Sequence, residues 1–338
     1  MPLRMKPLAD QVIVITGASS GNGLCAAQMA AAQGARVMLA ARDEGALKQV
    51  CAAITERGGT ADYLVTDVAR QADVERLAER TIARFGGFDT WVNNAGAGVY
   101  AEVLDLAVDD HRQVFETNYW GTVYGSLAAV RHLKDKPGGG ALINVGSING
   151  DMAAPILSAY NASKHAVKGF TDSLRIEMLM HKAPVSITLI KPSPVGTPFP
   201  QHGRNGTGYR ARLPVPLYAP EVTARAILHA AQHPRRSVTV GGIGKVQVLG
   251  ATMMPALFDR IAARMAGMLT RRDEPVPFEP GNLYQPRGDN GQTEGHQHGR
   301  QFSTFTAAAR HRATSLGLLA ALTAAGTLAA RRRSARLT

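Results

Sequence analysis

The sequence predicts an α/β fold: a doubly wound parallel sheet of about seven strands, followed by a helical and irregular C-terminal extension. Three observations carry this. Short apolar, β-branched runs alternate with stretches of helical periodicity through the first 250 residues. The first such run leads straight into a glycine-rich turn. The composition, 45% hydrophobic and 19% charged over 338 residues, is that of a globular chain long enough for a sizeable core.

In chain order, Val12–Thr16 reads as a buried strand and Leu24–Gln33 as an Ala-rich helix. Arg36–Ala40 is a second strand, Glu44–Arg57 a helix, Tyr63–Thr66 a third strand and Val74–Phe85 a helix. Thr90–Asn93 is a fourth strand, before a long helical region, Asp109–Leu133, that Gly121 and Gly125 interrupt. Ala141–Val145, Val185–Ile190 and Ser237–Val240 complete the strands, separated by helices at Ser158–Met180 and Glu221–Gln232. Strands alternating with helices give βαβ units, and right-handed crossovers wind helices onto both faces. Residues 8–250 therefore read as one doubly wound α/β domain, 251–272 as an additional helix, and 273–312 as a Pro/Gly-rich linker or extended wrap. His202–Pro220 is an irregular Gly/Arg/Pro-rich connection, of the kind that caps a site.

The net charge of +12 is unevenly placed. Residues 295–338 carry seven arginines and no Lys, Asp or Glu, which leaves +5 for the rest. Basicity is thus a tail property, and no nucleic-acid reading module accompanies it. Cys25 and Cys51 make no disulfide framework and show no metal-ligand spacing, so no metal is expected and a reducing, cytoplasmic setting is the simpler reading. The first ten residues lack the apolar run of a secretory signal. Within the tail at 313–338, Ala313–Ala330 is uncharged but contains only five leucines, marginal beside the roughly 17–25 apolar residues of a spanning helix. Two readings stay open there: attachment to an anionic membrane surface, with Arg331–Arg333 meeting the headgroups, or an Ala-rich helix packed on the body or a partner.

The turn after the first strand reads Thr16-Gly17-Ala18-Ser19-Ser20-Gly21-Asn22-Gly23. Gly17 permits a tight turn, Gly21 lets backbone approach a pyrophosphate, and Gly23 lets the following helix pack close to the sheet. The helix N-terminus then offers N–H groups and a positive dipole end to phosphate. At the end of the second strand, Leu39-Ala40-Ala41-Arg42 has no acid to bond a ribose 2′-OH, and Arg42 can pair a 2′-phosphate instead. NADP(H) is the preferred cofactor on this reading, with NAD(H) as the alternative.

The Thr-Gly-x3-Gly-x-Gly spacing resembles the short-chain dehydrogenase/reductase family in its compact single-domain branch, over about residues 8–245, with a Rossmann-type fold. Other segments match in order. They are Asp67-Val68, Asn93-Asn94-Ala95-Gly96, Asn118 in Asn-Tyr-Trp-Gly, Ser147 in Val-Gly-Ser, and Tyr160-Asn-Ala-Ser-Lys164. Lys191-Pro192-Ser193-Pro194-Val195-Gly196-Thr197 resembles the family's nicotinamide-side loop, with Ser193 where Gly is usual; Asn22 stands where the family has an apolar residue. Segments such as His233-Pro234-Arg235-Arg236 and Leu257-Phe258-Asp259-Arg260 resemble a bacterial subgroup with a C-terminal extension.

The resemblance implies a catalytic set of Asn118, Ser147, Tyr160 and Lys164. It implies cofactor contacts at Gly17, Ser19, Ser20, Gly21, Asn22, Gly23, Arg42, Asp67, Val68, Asn94, Ala95, Gly96, Tyr160, Lys164, Pro192, Val195 and Thr197. Tyr160 and Lys164, four apart, lie on one helix face. A Lys ammonium lowers the cost of a phenolate, which makes Tyr160 the general acid/base. Ser147 would bond the substrate oxygen, and Asn118 would place a relay water. The expected substrate is a small carbonyl/alcohol pair of lipophilic character, and the expected assembly a homodimer or homotetramer. The competing reading is a cofactor-binding regulator or scaffold without useful turnover.

Overall fold

The structure is a computed structural model and describes residues 3, 5–288 and 290–310. Seven parallel strands form its centre: β1 (Val12–Thr16), β2 (Arg36–Ala41), β3 (Thr60–Val65), β4 (Thr90–Asn93), β5 (Gly140–Val145), β6 (Val185–Pro192) and β7 (Ser237–Val240). Their order is β7-β6-β5-β4-β1-β2-β3, with Ile13 paired to Val37 on one side and Thr90 on the other. The winding reverses between β1 and β4. In an open parallel sheet the crevice at that reversal, beyond the carboxyl ends of the strands, is where ligands bind.

Every residue of β1, β4 and β5 is buried, as a sheet covered on both faces requires. One face carries α1 (Gly21–Ala31) and α2 (Glu44–Glu56). The other carries α3 (Gln71–Phe85), α4 (Val108–Phe115), α5 (Gly121–Leu133) and α6 (Ser158–Met180). The helix α7 (Pro220–Gln232) joins the first face. Two apolar cores result: Ile13, Ile15, Leu24, Leu39 and Ile227 on one side, and Val14, Leu77, Trp91, Leu133 and Leu142 on the other. All seven expected strands are present within a few residues of their expected bounds.

The long helical region differs in one respect. Between α4 and α5 the backbone makes a π-turn, Glu116–Trp120, that carries Asn118. Such turns insert an extra residue in the helix and re-aim its side chains. Gly121 and Gly125 do not break the helix; they admit close packing. A Cβ on Gly125 would stand 2.0 Å from Asn93 Oδ1, and one on Gly121 2.8 Å from Val68 Cγ2.

The single helix expected over 251–272 is instead several elements, among them a 3-10 turn at Ala266–Leu269. The helix α8 (Gly242–Met253) starts earlier, α9 (Pro255–Arg264) follows, and Thr270–Pro275 is extended and pairs antiparallel with Tyr209–Ala211. Pro255 cannot continue the α8 hydrogen-bond ladder, and Met254 before it leaves the helical region at φ −137°, ψ 60°. Residues 276–288 and 290–303 form an irregular segment of turns and bends, and α10 (Thr304–Arg310) follows. The apolar tail at 313–338 lies outside the described residues. Among the described residues no helix is long and apolar enough to cross a membrane, and no group of three or more His, Cys, Asp or Glu could hold a metal.

Candidate active site

One cleft at the carboxyl ends of the strands, over the β1/β4 reversal, gathers nearly all the candidate residues. At one end lie Gly17, Ser19, Ser20, Gly21, Asn22, Arg42, Asp67 and Val68; Asn94, Ala95 and Gly96 line the middle. At the other end are Ser147, Tyr160, Lys164, Pro192 and Val195, while Thr197 stands beside the glycine turn, where a Cβ on Gly21 would lie 3.2 Å from its Cβ. Gly23 and Asn118 lie behind the wall rather than in it.

The glycine turn is built by close approach. Gly17 (φ +66°) and Gly21 (φ +53°) occupy the left-handed region that glycine tolerates. A Cβ on Gly17 would meet Ala95 Cα at 2.8 Å, so the loop after β1 presses on the loop after β4. Asn94 fastens the two, its Nδ2 donating to Thr16 O (3.0 Å) and Gly17 O (3.2 Å). Thus Asn94 both braces the sheet and lines the cleft. Gly23 is packed so tightly that a Cβ would stand 2.2 Å from Gly17 O. Because that neighbour is backbone, Gly23→Ala is expected to cost about 1–3 kcal/mol in a denaturant unfolding experiment. A neutral result would overturn the packing role.

These features fit a dinucleotide: a glycine cradle that side chains would fill, the N-terminus of α1 behind it, and a cleft running from Arg42 to Tyr160. Asn22 Oδ1 is buried with no partner among the described residues, an acceptor that a ligand hydroxyl would satisfy.

At the far end, α6 presents Tyr160 and Lys164 one turn apart. The Lys164 ammonium lies 5.7 Å from the Tyr160 ring centroid and donates to Val145 O at 3.0 Å. Burial lowers the Lys164 pKa to about 8. Burial also raises that of Tyr160, while a hydrogen bond with the Ser147 side chain pulls it back down. Ser147 follows β5, where its Oγ accepts from Asn149 N–H (3.1 Å). The Tyr160 ring packs against Phe199, centroids 5.3 Å apart.

Asn118 is differently employed from a residue with a free amide. Its Oδ1 accepts from Ala97 N–H (2.8 Å), and its Nδ2 donates to Ala97 O (3.0 Å) and Ser163 Oγ (2.9 Å). Ser163 in turn donates to Tyr160 O (2.8 Å). The side chain clamps the β4 loop to α6 and has no donor left for a water. Ser193 is accommodated without left-handed backbone: its Oγ donates to Gly241 O at 3.2 Å, tying the loop after β6 to the end of β7.

Several lining residues carry no motif. Met152, Leu157, Phe199, Leu213 and Leu269 make the Tyr160 end apolar. Tyr100 is fully buried there, its hydroxyl without a partner among the described residues and its pKa raised by burial. Asn282, Pro286 and Asn290, from the wrap, close the Arg42 end. No periodicity or spacing marks them in the sequence.

The sequence profile of the short chain dehydrogenase family matches residues 11–206. An uncharacterised oxidoreductase of Bacillus subtilis, YxnA, is 40% identical over 331 residues, covering 95% of this chain and 91% of the relative. A short chain dehydrogenase/reductase of Burkholderia phymatum, solved in complex with NAD, superposes with a TM-score of 0.68 at 24% identity over 75% of this chain and 96% of its own. An alcohol dehydrogenase of the archaeon Thermococcus sibiricus, complexed with 5-hydroxy-NADP, gives 0.60 at 24% identity, over 68% and 95%. At that identity the two structures share the fold with this chain.

Proposed function

The chain belongs to the short-chain dehydrogenase/reductase family, an oxidoreductase family of nicotinamide cofactors, and on that premise we propose that it interconverts a lipophilic carbonyl compound and its alcohol with NADP(H). One observation carries the reading: Ser147, Tyr160 and Lys164 meet at one end of a cleft whose other end is the glycine turn and Arg42. The dinucleotide, when bound, supplies or accepts the hydride. The protein handles the proton. In reduction, Tyr160 Oη–H gives its proton to the substrate oxygen as the hydride arrives at carbon; in oxidation it takes the proton back. The Lys164 ammonium stabilises the phenolate that forms, and the Ser147 hydroxyl bonds the oxygen on which charge develops. Asn118 is a positioning residue: it holds Ala97 and Ser163 around Lys164. The apolar wall of Leu157, Phe199, Leu213 and Leu269 favours a lipophilic substrate. A homodimer or homotetramer through α5 and α6 accords with Leu127, Ile176, Leu179 and Met180, all exposed in the single chain.

Consumption of NADPH and NADH across a panel of ketones and aldehydes tests the reading. NADPH-dependent turnover is expected. A dinucleotide that binds without turnover of any panel member would favour the regulator or scaffold instead.

Arg42 supports the NADP preference because the cleft passes its guanidinium and the end of β2 offers no acid there. Arg42→Ala is expected to raise the KM for NADPH by about 10- to 100-fold, the worth of a charge-assisted hydrogen bond. The KM for NADH should stay within about twofold. Equal losses with both cofactors would remove Arg42 from the role of selector.

A further inference from the structure

Arg42 is held by the C-terminal wrap. Its Nη1 donates to Leu283 O (3.2 Å) and Tyr284 O (3.3 Å), and its Nη2 to Asn282 O. A guanidinium has five N–H groups. These three bonds engage Nη1 and one proton of Nη2; Nε and the second Nη2 proton have no partner among the described residues. What remains is a two-pronged edge of the kind that receives a phosphate in bidentate fashion.

The same segment is stitched to everything else at the adenosine end. Gly291 N–H donates to Ser19 O (2.9 Å), and Gly21 N–H, at the first turn of α1, donates to Gln292 O (2.9 Å). Asn290 Nδ2 donates to Asp43 Oδ2 (2.7 Å), while Asp43 Oδ1 caps α2 by accepting from Ala46 N–H (3.0 Å). Both oxygens of Asp43, the acid next to Arg42 in the sequence, are thereby engaged, while the Asp67 carboxylate also acts on the Arg42 guanidinium across the cleft. Tyr284 Oη donates to Asp110 Oδ1 (2.8 Å), which anchors the other side of the segment to α4. Asn282, Pro286 and Asn290 line the cleft itself.

We propose that residues 282–288 and 290–292 form a selectivity strap, whose backbone carbonyls orient Arg42 so that its free edge receives the 2′-phosphate of NADP(H). The strap carbonyls are positioning groups that act through Arg42, and Asn290 fastens the strap to Asp43. An arginine at a strand end samples many rotamers; the carbonyls order it before the ligand arrives, which favours binding of whatever the ordered fork fits. NAD(H) lacks the phosphate and gains nothing from the fork. Binding linkage is reciprocal, so the phosphorylated dinucleotide also tightens the strap. This rests on the reading of Arg42 as the phosphate ligand, and its test separates the two.

The experiment titrates NADP+ and NAD+ into the full-length protein, with hydrogen exchange followed at the Gly291 and Gly21 amides. Two strap variants run beside it. Asn290→Ala removes the bond to Asp43; Gly291→Val puts a β-branched residue at φ +98° and loosens the docking to Ser19. Saturating NADP+ should slow exchange at both amides by about fivefold or more relative to saturating NAD+. Both variants should raise the Kd for NADP+ by about fivefold or more and leave that for NAD+ within about twofold. If the wild type prefers NADP+ but the variants shift both cofactors equally, or neither, the strap has no selective role and the Arg42 reading survives. If the wild type shows no preference for NADP+, the Arg42 reading falls and the strap proposal with it.

Discussion

Tyr160→Phe is expected to lower kcat by at least about 100-fold in both directions, while the Kd for NADPH stays within about threefold. The magnitude follows from what is removed. Positioned general acids and bases contribute about 10²- to 10⁴-fold, and Phe has no proton to give. The small change in binding follows from what is kept. The ring retains its packing against Phe199 and its place over Lys164, so the cleft keeps its shape. Single-turnover reduction measured beside a fluorescence titration of NADPH makes the comparison. Retained turnover would remove Tyr160 from the chemistry; loss of cofactor binding would mean that the substitution had collapsed the site.

Lys164→Met is expected to lower kcat/KM by a similar factor, about 100-fold or more, and to erase an alkaline limb in the wild-type pH profile. The sign can be worked through. Burial brings the Lys164 pKa in the free enzyme down from its ordinary 10.5 to about 8. Below that value the ammonium is present and stabilises the phenolate formed as Tyr160 gives up its proton. Above it the amine is neutral, and the phenolate forms beside no charge. Tyr160 itself, with its pKa raised by burial, remains a protonated phenol through this range and is not the group that titrates. Reductase kcat/KM should therefore hold level up to about pH 8 and fall as pH rises beyond it. A flat profile from 7 to about 9.5, or a limb that persists in Lys164→Met, would assign the titration elsewhere.

Much of the site was legible because its signals are local. Tyr160 and Lys164 are four residues apart on a helix whose span, Ser158–Met180, follows from its own pattern. Gly17, Gly21 and Gly23 sit directly after a strand. Residues 8–245 carry these signals in an order that the fold then brings together at the carboxyl edge of the sheet. Asn118 was legible as a position but not in what it touches. Its partners, Ala97 and Ser163, lie 21 and 45 residues away, and the π-turn that aims it leaves no mark in the apolar pattern. The helix expected over 251–272 failed locally, since Pro255 ends one helix and begins another.

The sequence by itself determined the fold class, the order of strands and helices, and the residue types at the two ends of the cleft. Hydrophobic period, glycine position and side-chain spacing act within a few residues along the chain, and a sheet buried on both faces leaves little choice of arrangement. Only the tertiary structure decided what holds Arg42, what closes that end of the cleft, and why Asn118 has no free amide. Those contacts are made largely by main-chain groups, the carbonyls of Asn282, Leu283 and Tyr284 and both polar groups of Ala97. Every non-proline residue carries the same backbone donor and acceptor, so nothing in a residue's identity announces such a bond until the chain has folded and set the two groups side by side.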